Sequence, residues 1–366
     1  MAKIVHIELF MVDLLPKVRR EDAIQSFVSQ ETPIVRIRDA DGVEGIGYSY
    51  TIGTGGWSVM ALIQHSLAPL VLGRDGDEPE AIWRDMLRIT HATSVGAITA
   101  LAMAAIDTAL WDLRCKRAGL PLHKFAGGAQ ASIPTYTTEG GWLHLTSDEL
   151  VAGALEAQAE GFQGCKIKIG RSPQEDVERL SAVRAAVGPK FEIFTDANQA
   201  FTSDDVIRRA HLLAPLNLGW IEEPLPADDV AGHIRLSQST PIPVAVGESI
   251  YSMSHFREYL ERGACSIIQV DVARIGGITP WLKVAHMAEC FNISVAPHFL
   301  MELHVSLCAA VPNARWVEYI PQLDAITHSG IKIEQGRAIP SDVPGLGIDW
   351  DMDAIAQMTL MHEILA

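Results

Sequence analysis

Apolar and polar positions follow two different rhythms along the chain, and the change comes near residue 130. Before it the signals are mixed. Residues 3–10 alternate with the period of two that a half-buried strand requires. Residues 33–50 read as a hairpin turning at Asp41-Gly42. Helical periodicity follows over 59–72, 78–90 and 96–118, the last stopped by Gly119 and Pro121. The most apolar stretch, 95–111, is interrupted by Asp107 and followed at once by Asp112 and Arg114, which marks a buried core helix rather than a membrane span.

From Ser132 onward, short apolar strands alternate regularly with amphipathic helices. Strand candidates end near Tyr136, Lys168, Asp196, Glu222, Glu248, Asp271, His298 and Glu318, with helices such as 173–187, 204–213, 254–262 and 280–290 between them. Eight strands in this length predict an α/β fold of the TIM-type parallel barrel. A doubly wound open sheet is the alternative, but no Gly-rich phosphate fingerprint follows any strand. After Glu318 the repeat stops, and the tail 326–366, with a turn at Pro344-Gly345, is expected to pack back on the N-terminal part.

Composition narrows the partners. With 48% hydrophobic and 20% charged residues the chain is an ordinary globular one. A formal net charge of -16 argues against a nucleic-acid or anionic-membrane surface, and means that an anionic substrate needs a cation to mediate. The five cysteines (Cys115, Cys165, Cys265, Cys290, Cys308) show no CxxC spacing and are expected to be reduced core thiols of a cytoplasmic protein. Lys3, His6 and Glu8 within the first apolar alternation mark a strand, not a signal peptide.

The ionisable residues at the strand ends carry the chemistry. From Lys168 the successive intervals to Asp196, Glu222, Glu248, Asp271, His298 and Glu318 are 28, 26, 26, 23, 27 and 20 residues. One β/α unit of a barrel takes roughly 25–30 residues, so each residue lies one repeat after the last, at the barrel end where such folds keep their active sites. A single terminal Asp is as well explained as a helix cap. Seven in consecutive register are not.

Asp196, Glu222 and Glu248 are expected to converge above the barrel, where their repulsion demands a cation. An all-oxygen set suits Mg2+, with Mn2+ as the alternative, and leaves positions open for substrate oxygens. In "IEEP" the two glutamates point to opposite faces, so Glu223 stands behind Glu222 or caps a helix. Asn198, two residues beyond Asp196 on the same side, stands behind the ion or toward the substrate. In "CKIKIG" the strand period puts Lys166 and Lys168 on one face, beside the cation. Lys168, near a cation and a second ammonium, is expected to have a lowered pKa and to act as a base. Opposite it Asp271 fixes the tautomer of His298 and raises its basicity. Glu318 is expected to be kept protonated by burial and to donate a hydrogen bond to a developing oxyanion. This set suits proton abstraction α to a carboxylate, with an enediolate stabilised by the cation and bases on both faces of the carbon.

With "KIK" at Lys166–Lys168, "DAN" at Asp196, "IEEP" at Glu222, "GES" at Glu248, the Asp271 and His298 pair and Glu318, the chain resembles the enolase superfamily and its mandelate racemase subgroup. The segments "YTTEGGWLH", "APHFLMELHVSLCAAVP" and "GIGYSYTIGTGG" are similar to the acid-sugar dehydratases of the talarate/galactarate type. The resemblance implies a (β/α)7β barrel over 129–322, an N-terminal α+β capping domain over 1–128 and a C-terminal segment, 323–366, that completes the cap. It implies one Mg2+ per subunit, Lys168 and His298 as the acid/base pair, and Lys166 and Thr138 against the substrate carboxylate. Two loops, 14–27 and 48–57, would close over the barrel, and Lys17, Arg19 and Arg20 in the first would hold a second carboxylate unless they are simply a solvated basic loop. Glu139 departs from the talarate/galactarate pattern, where a neutral residue is expected.

The reaction implied is Mg2+-dependent dehydration of an aldaric or aldonic acid to a 2-keto-3-deoxy product, with a homo-oligomer, an octamer among its forms, as the working unit. The same residues also suit racemisation or epimerisation of a 2-hydroxy acid, or cycloisomerisation of a sugar lactone. A non-catalytic sugar-acid binding protein is the reading from another class.

Overall fold

The structure, a computed structural model, describes residues 3–366. The N-terminal part is built on a sheet of β1 (Ile4–Asp13), β4 (Glu31–Asp39) and β5 (Glu44–Tyr48), antiparallel throughout. The hairpin between β4 and β5 turns at Gly42, whose φ is 85°. The long loop leaving β1 folds on itself through a small ladder of β2 (Arg20–Glu21) with β3 (Ser26–Phe27). The helix Ala97–Ala118 lies directly on β5 because Gly45 and Gly47 leave room for its backbone. A Cβ on Gly47 would sit 2.2 Å from the amide nitrogen of Ala109, so the helix reaches the strand only where no side chain intervenes.

The barrel strands follow in chain order: β6 (Ile133–Thr137), β7 (Gly164–Lys168), β8 (Glu192–Asp196), β9 (Trp220–Glu222), β10 (Val244–Val246), β11 (Ile267–Ile268), β12 (Ser294–Val295) and β13 (Val317–Tyr319). Each pairs in parallel with the next from β6 to β12, and β13 pairs in parallel with β6. The ring closes where Val295 bridges Ala314, with the Arg315 amide donating to the Val295 carbonyl at 2.8 Å. A closed ring excludes the open doubly wound sheet. The strands are shorter than the sequence pattern implies. Glu248, Asp271 and His298 lie beyond the last paired residues Val246, Ile268 and Val295, on the loops at the barrel mouth.

Inside the barrel, Tyr136, Phe194, Trp220, Ala245, Ile267, Ala296 and Trp316 form a separate apolar cluster that floors the site. Phe194 and Trp220 stack with ring centroids 3.7 Å apart. The segment after β13 does two things. Its hairpin of β14 (Lys332–Glu334) and β15 (Arg337–Ile339) adds antiparallel to β6, and its last strand β16 (Thr359–Leu365) joins β1 as the fourth strand of the N-terminal sheet. Among the described residues no helix is long and apolar enough to cross a membrane. Four of the cysteines are buried thiols, but Cys290 is exposed, against the expectation that all five lie in the core.

Candidate active site

The strand period of β7 settles where its side chains go. Ile167 and Ile169 enter the core between barrel and helices, while Lys166 and Lys168 turn into the mouth, all four buried. The loop after β6 crosses β7 backbone to backbone: the Lys168 amide donates to the Gly141 carbonyl at 2.7 Å. Only glycine fits at 141, since a Cβ there would lie 1.8 Å from the Lys166 carbonyl oxygen.

Asp196, Glu222 and Glu248 each bring a carboxylate oxygen within 4.8 Å of the others, and all three are buried. Asp196 accepts from the Asn198 amide at 2.9 Å and from Lys168 Nζ at 2.5 Å. Glu222 accepts from Lys166 Nζ at 2.8 Å, Gln269 Nε2 at 2.7 Å and Trp220 Nε1 at 3.0 Å. Burial, partly offset by Lys166, and repulsion from Asp196, Glu318 and Glu248 push the Glu222 carboxyl up to about 7. Glu248 Oε2 is buried with no hydrogen bond, lying 3.3 Å from His298 Nε2 outside bonding geometry. An orphaned buried oxygen within a crowded all-carboxylate set is what a hard divalent cation satisfies, so these residues fit Mg2+. Glu223 turns away, as the alternation in "IEEP" requires: its backbone is left-handed (φ 37°) and its carboxylate accepts from Gln199 Nε2 at 3.2 and 3.3 Å.

Two titratable side chains flank the carboxylates. At the Asp196 end stands Lys168, its Nζ also 3.0 Å from Asn198 Oδ1 and 5.5 Å from the Trp142 ring centroid. At the Glu248 end stands His298, whose Nδ1 lies 2.8 Å from Asp271 Oδ2. Burial raises the Asp271 pKa, but the hydrogen bond and charge of His298 outweigh it and bring the carboxyl down to about 2. Burial lowers the His298 pKa, and the charges of Glu248 and Asp271 more than reverse that.

Without a cation at the carboxylates, burial pulls the Lys168 pKa down but Asp196, with smaller help from Glu222 and Glu248, holds the ammonium against the repulsion of Lys166 and raises it; the expected lowering belongs to the site with the cation beside it. One electrostatic expectation is corrected. Glu318 is not a protonated donor. Burial works toward that, yet Lys166, at 2.8 Å, and His298 hold its carboxyl far below the usual range. It accepts instead, from Lys166, from the Thr138 hydroxyl and from the Phe299 amide at 2.8 Å. Thr138 and Lys166 are thereby engaged by protein carboxylates, Lys166 by Glu222 and Glu318 together.

The basic loop residues are also paired. Lys17 meets Asp324 at 3.2 Å and Arg19 meets Glu21 at 2.5 Å, both pairs on the surface side of the loop. Arg20 alone of the three is buried, and its guanidinium binds Glu139 and, at 3.0 Å, the Pro321 carbonyl. Sequence reasoning missed Tyr50, Arg274 and His304. Tyr50 donates its hydroxyl to Asp271 at 2.7 Å and accepts from Arg274 Nε at 3.0 Å. His304 Nε2 accepts from the Val272 amide at 3.1 Å while Nδ1 lies 3.0 Å from the Phe299 carbonyl oxygen, so one ring ties the Asp271 loop to the His298 loop. The pattern "DVAR" after Asp271 was the only signal available for Arg274, and an aromatic among apolar neighbours gave none for Tyr50.

Comparison with known proteins meets this geometry from outside. Among curated proteins, the L-talarate/galactarate dehydratase of Salmonella typhimurium is 36% identical over 315 residues, covering 86% of this chain and 79% of the relative. The 3,6-anhydro-alpha-L-galactonate cycloisomerase of Streptomyces coelicolor is 35% identical, covering 89% and 91%. The crystal structure of L-talarate dehydratase from Polaromonas sp. JS666, complexed with Mg and L-glucarate, superposes with a TM-score of 0.95 at 32% identity, over 100% of both chains. Residues 6–127 match the mandelate racemase / muconate lactonizing enzyme N-terminal domain, and residues 149–354 match the enolase C-terminal domain-like family. With the sheet that caps the barrel and the barrel that carries the carboxylates both matched, this chain belongs to the mandelate racemase/muconate lactonizing enzyme family of the enolase superfamily.

Proposed function

We propose that the protein dehydrates an acid sugar, removing the C2 proton and the C3 hydroxyl to leave a 2-keto-3-deoxy acid. The observation that carries this reading is the placement of Lys168 and the Asp271–His298 pair at opposite ends of the buried carboxylate set. Mg2+, which Asp196, Glu222 and Glu248 would hold, would supply the Lewis-acid charge that favours a substrate enediolate. Lys168 and His298 face the substrate from the two ends, one accepting the C2 proton and the other giving a proton to the C3 oxygen as it leaves as water. The resulting enol tautomerises to the keto acid, and no oxidant or reductant enters. Lys166, held between Glu222 and Glu318, keeps a buried positive charge beside the substrate carboxylate, and Thr138 fixes Glu318 in turn. Asn198 holds the Lys168 ammonium through its Oδ1. Loops 14–27 and 48–57 exclude water, and the second contributes Tyr50 to Asp271.

A second reading draws on the equally strong likeness to a cycloisomerase. If the C3 oxygen is part of a ring, the same elimination opens the ring and the oxygen stays in the product. Simple epimerisation would leave the C3–O bond intact. The deciding experiment is a screen of acid sugars and their anhydro and lactone forms with Mg2+, reading 2-keto acid formation. Exchange of the C2 proton in D2O without any keto acid would overturn the elimination and favour an epimerase.

The same reading treats residues up to 128 with 323–366 as the cap and 129–322 as the catalytic barrel. It also sets the enzyme in the cytoplasm, as a homo-oligomer with an octamer among its forms, which sedimentation would test.

A further inference from the structure

We propose that the Arg20–Glu139 pair makes this site select acid sugars with one carboxylate, aldonates and their anhydro forms, over aldarates with a carboxylate at each end. The proposal rests on the acid-sugar reading above. Next to the catalytic centre lies a cavity of about 500 Å3 between loop 14–20 and the barrel, lined by Leu14, Arg20, Glu139, Trp142 and Pro321 among others. Its link to the catalytic residues is the Trp142 ring, which has Lys168 Nζ 5.5 Å from its centroid and the Arg20 guanidinium carbon at 5.9 Å, and Thr138, one residue before Glu139, donates to Glu318. A substrate whose end remote from C1 points toward loop 14–20 would meet Arg20 and Glu139.

Three cations in this loop offer themselves to a distal carboxylate, and each already faces a protein carboxylate. Two of those pairs do little. The side chains of Lys17 and Arg19 are 72% and 68% exposed, so water screens them and their partners. Arg20 is different, with a side chain 5% exposed. Its Nε donates to Glu139 Oε1 at 2.9 Å, a second nitrogen donates to the same oxygen, and Glu139 Oε2 accepts from Trp142 Nε1 at 3.0 Å. Glu139 is fixed from both sides and answers the charge of Arg20. A second carboxylate arriving here finds one guanidinium shared between two anions, and capturing the buried Arg20 would leave the half-buried Glu139 without its cation. A hydroxyl meets no such penalty, since it donates to Glu139 and accepts from Arg20. The apolar wall of Leu14 and Pro321 suits the carbon face of a polyol chain or an anhydro ring.

The test uses the full chain with Mg2+ and pairs of acids matched in configuration from C2 to C5, such as galactonate with galactarate. Turnover is read as kcat/KM for keto-acid formation. Binding is read separately, in Lys168→Ala, as the ligand concentration giving half the maximal rise in melting temperature. The monoacid is expected to be favoured by roughly tenfold or more in whichever readout responds, because a mismatched buried charge discriminates strongly. Glu139→Gln keeps the shape and, with its amide oxygen toward Arg20, those hydrogen bonds, loses only the one from Trp142 Nε1, frees the charge of Arg20, and should move the ratio toward the diacid by a similar factor. The proposal is overturned if wild type takes the diacid as well as the monoacid, if neither class raises the melting temperature, or if a folded Glu139→Gln leaves the ratio unchanged. Binding preference without turnover of any acid would instead sink the dehydratase reading while supporting the selectivity.

Discussion

Asp271 Oδ2 lies 2.8 Å from His298 Nδ1, and an ionised carboxylate only accepts hydrogen bonds. Nδ1 therefore carries the proton and Nε2 faces the mouth as a base. Asp271→Asn should lower kcat by about 10²–10⁴-fold with little change in KM, because the amide no longer dictates the tautomer. Lys168→Ala and His298→Asn should each abolish keto-acid formation while Mg2+ binding persists, and normal turnover in both would refute their roles. His304 carries the pH prediction. Burial lowers its pKa from 6.5 to about 4, against the Asp271 charge and the hydrogen bond to the Phe299 carbonyl, which raise it. The unfolded chain binds this proton first on acidification. The contribution is thus full above pH 6.5 and is lost as pH falls toward 4, up to about 3 kcal/mol. His304→Gln should flatten the fall in melting temperature over that window relative to wild type. At this scale the convergence of three buried carboxylates was legible, and the charge states around them were not. Asp196, Glu222 and Glu248 announce themselves by one-per-repeat spacing, whereas the states of Lys168 and Glu318 depend on which opposite charge reaches them across the barrel.

Elements whose ends are written locally match their sequence patterns closely. The helix Pro173–Val187 starts at Ser172 in a capping box with Glu175 and stops before Gly188, all local signals. Strands β10 to β12 are shorter than their apolar runs, because the residues that carry the chemistry leave the ladder to aim side chains into the mouth. The hairpin β14–β15 has no clear sequence signal, being short, only partly buried and stabilised by pairing with β6 far earlier in the chain. Helix against strand gives the prediction that belongs here. Gly47→Ala would drive a methyl to within 2.2 Å of the Ala109 nitrogen, and backbone on both sides cannot yield cheaply. We expect a loss of about 1–3 kcal/mol in urea unfolding, with the barrel circular dichroism retained in what folds. An unchanged midpoint would mean that the helix can slide away from β5.

Across the whole molecule, one buried site gathers side chains from strand ends all round the barrel and from the sheet that covers it. Three buried carboxylates beside a net charge of -16 should make the fold sensitive to divalent cations. Chelation with EDTA should abolish activity and lower the melting temperature, and Mg2+ should restore both; a melting temperature indifferent to Mg2+ would refute the ion site. The pairing of β16 with β1 sets Leu365 opposite Ile7, across the rest of the described chain. On the ribosome, then, β1 emerges early and waits with one edge bare while every barrel strand is translated. The cover gains its last strand only after the chamber beneath it exists, so a nascent chain stalled before residue 359 carries the catalytic side chains under an unfinished roof.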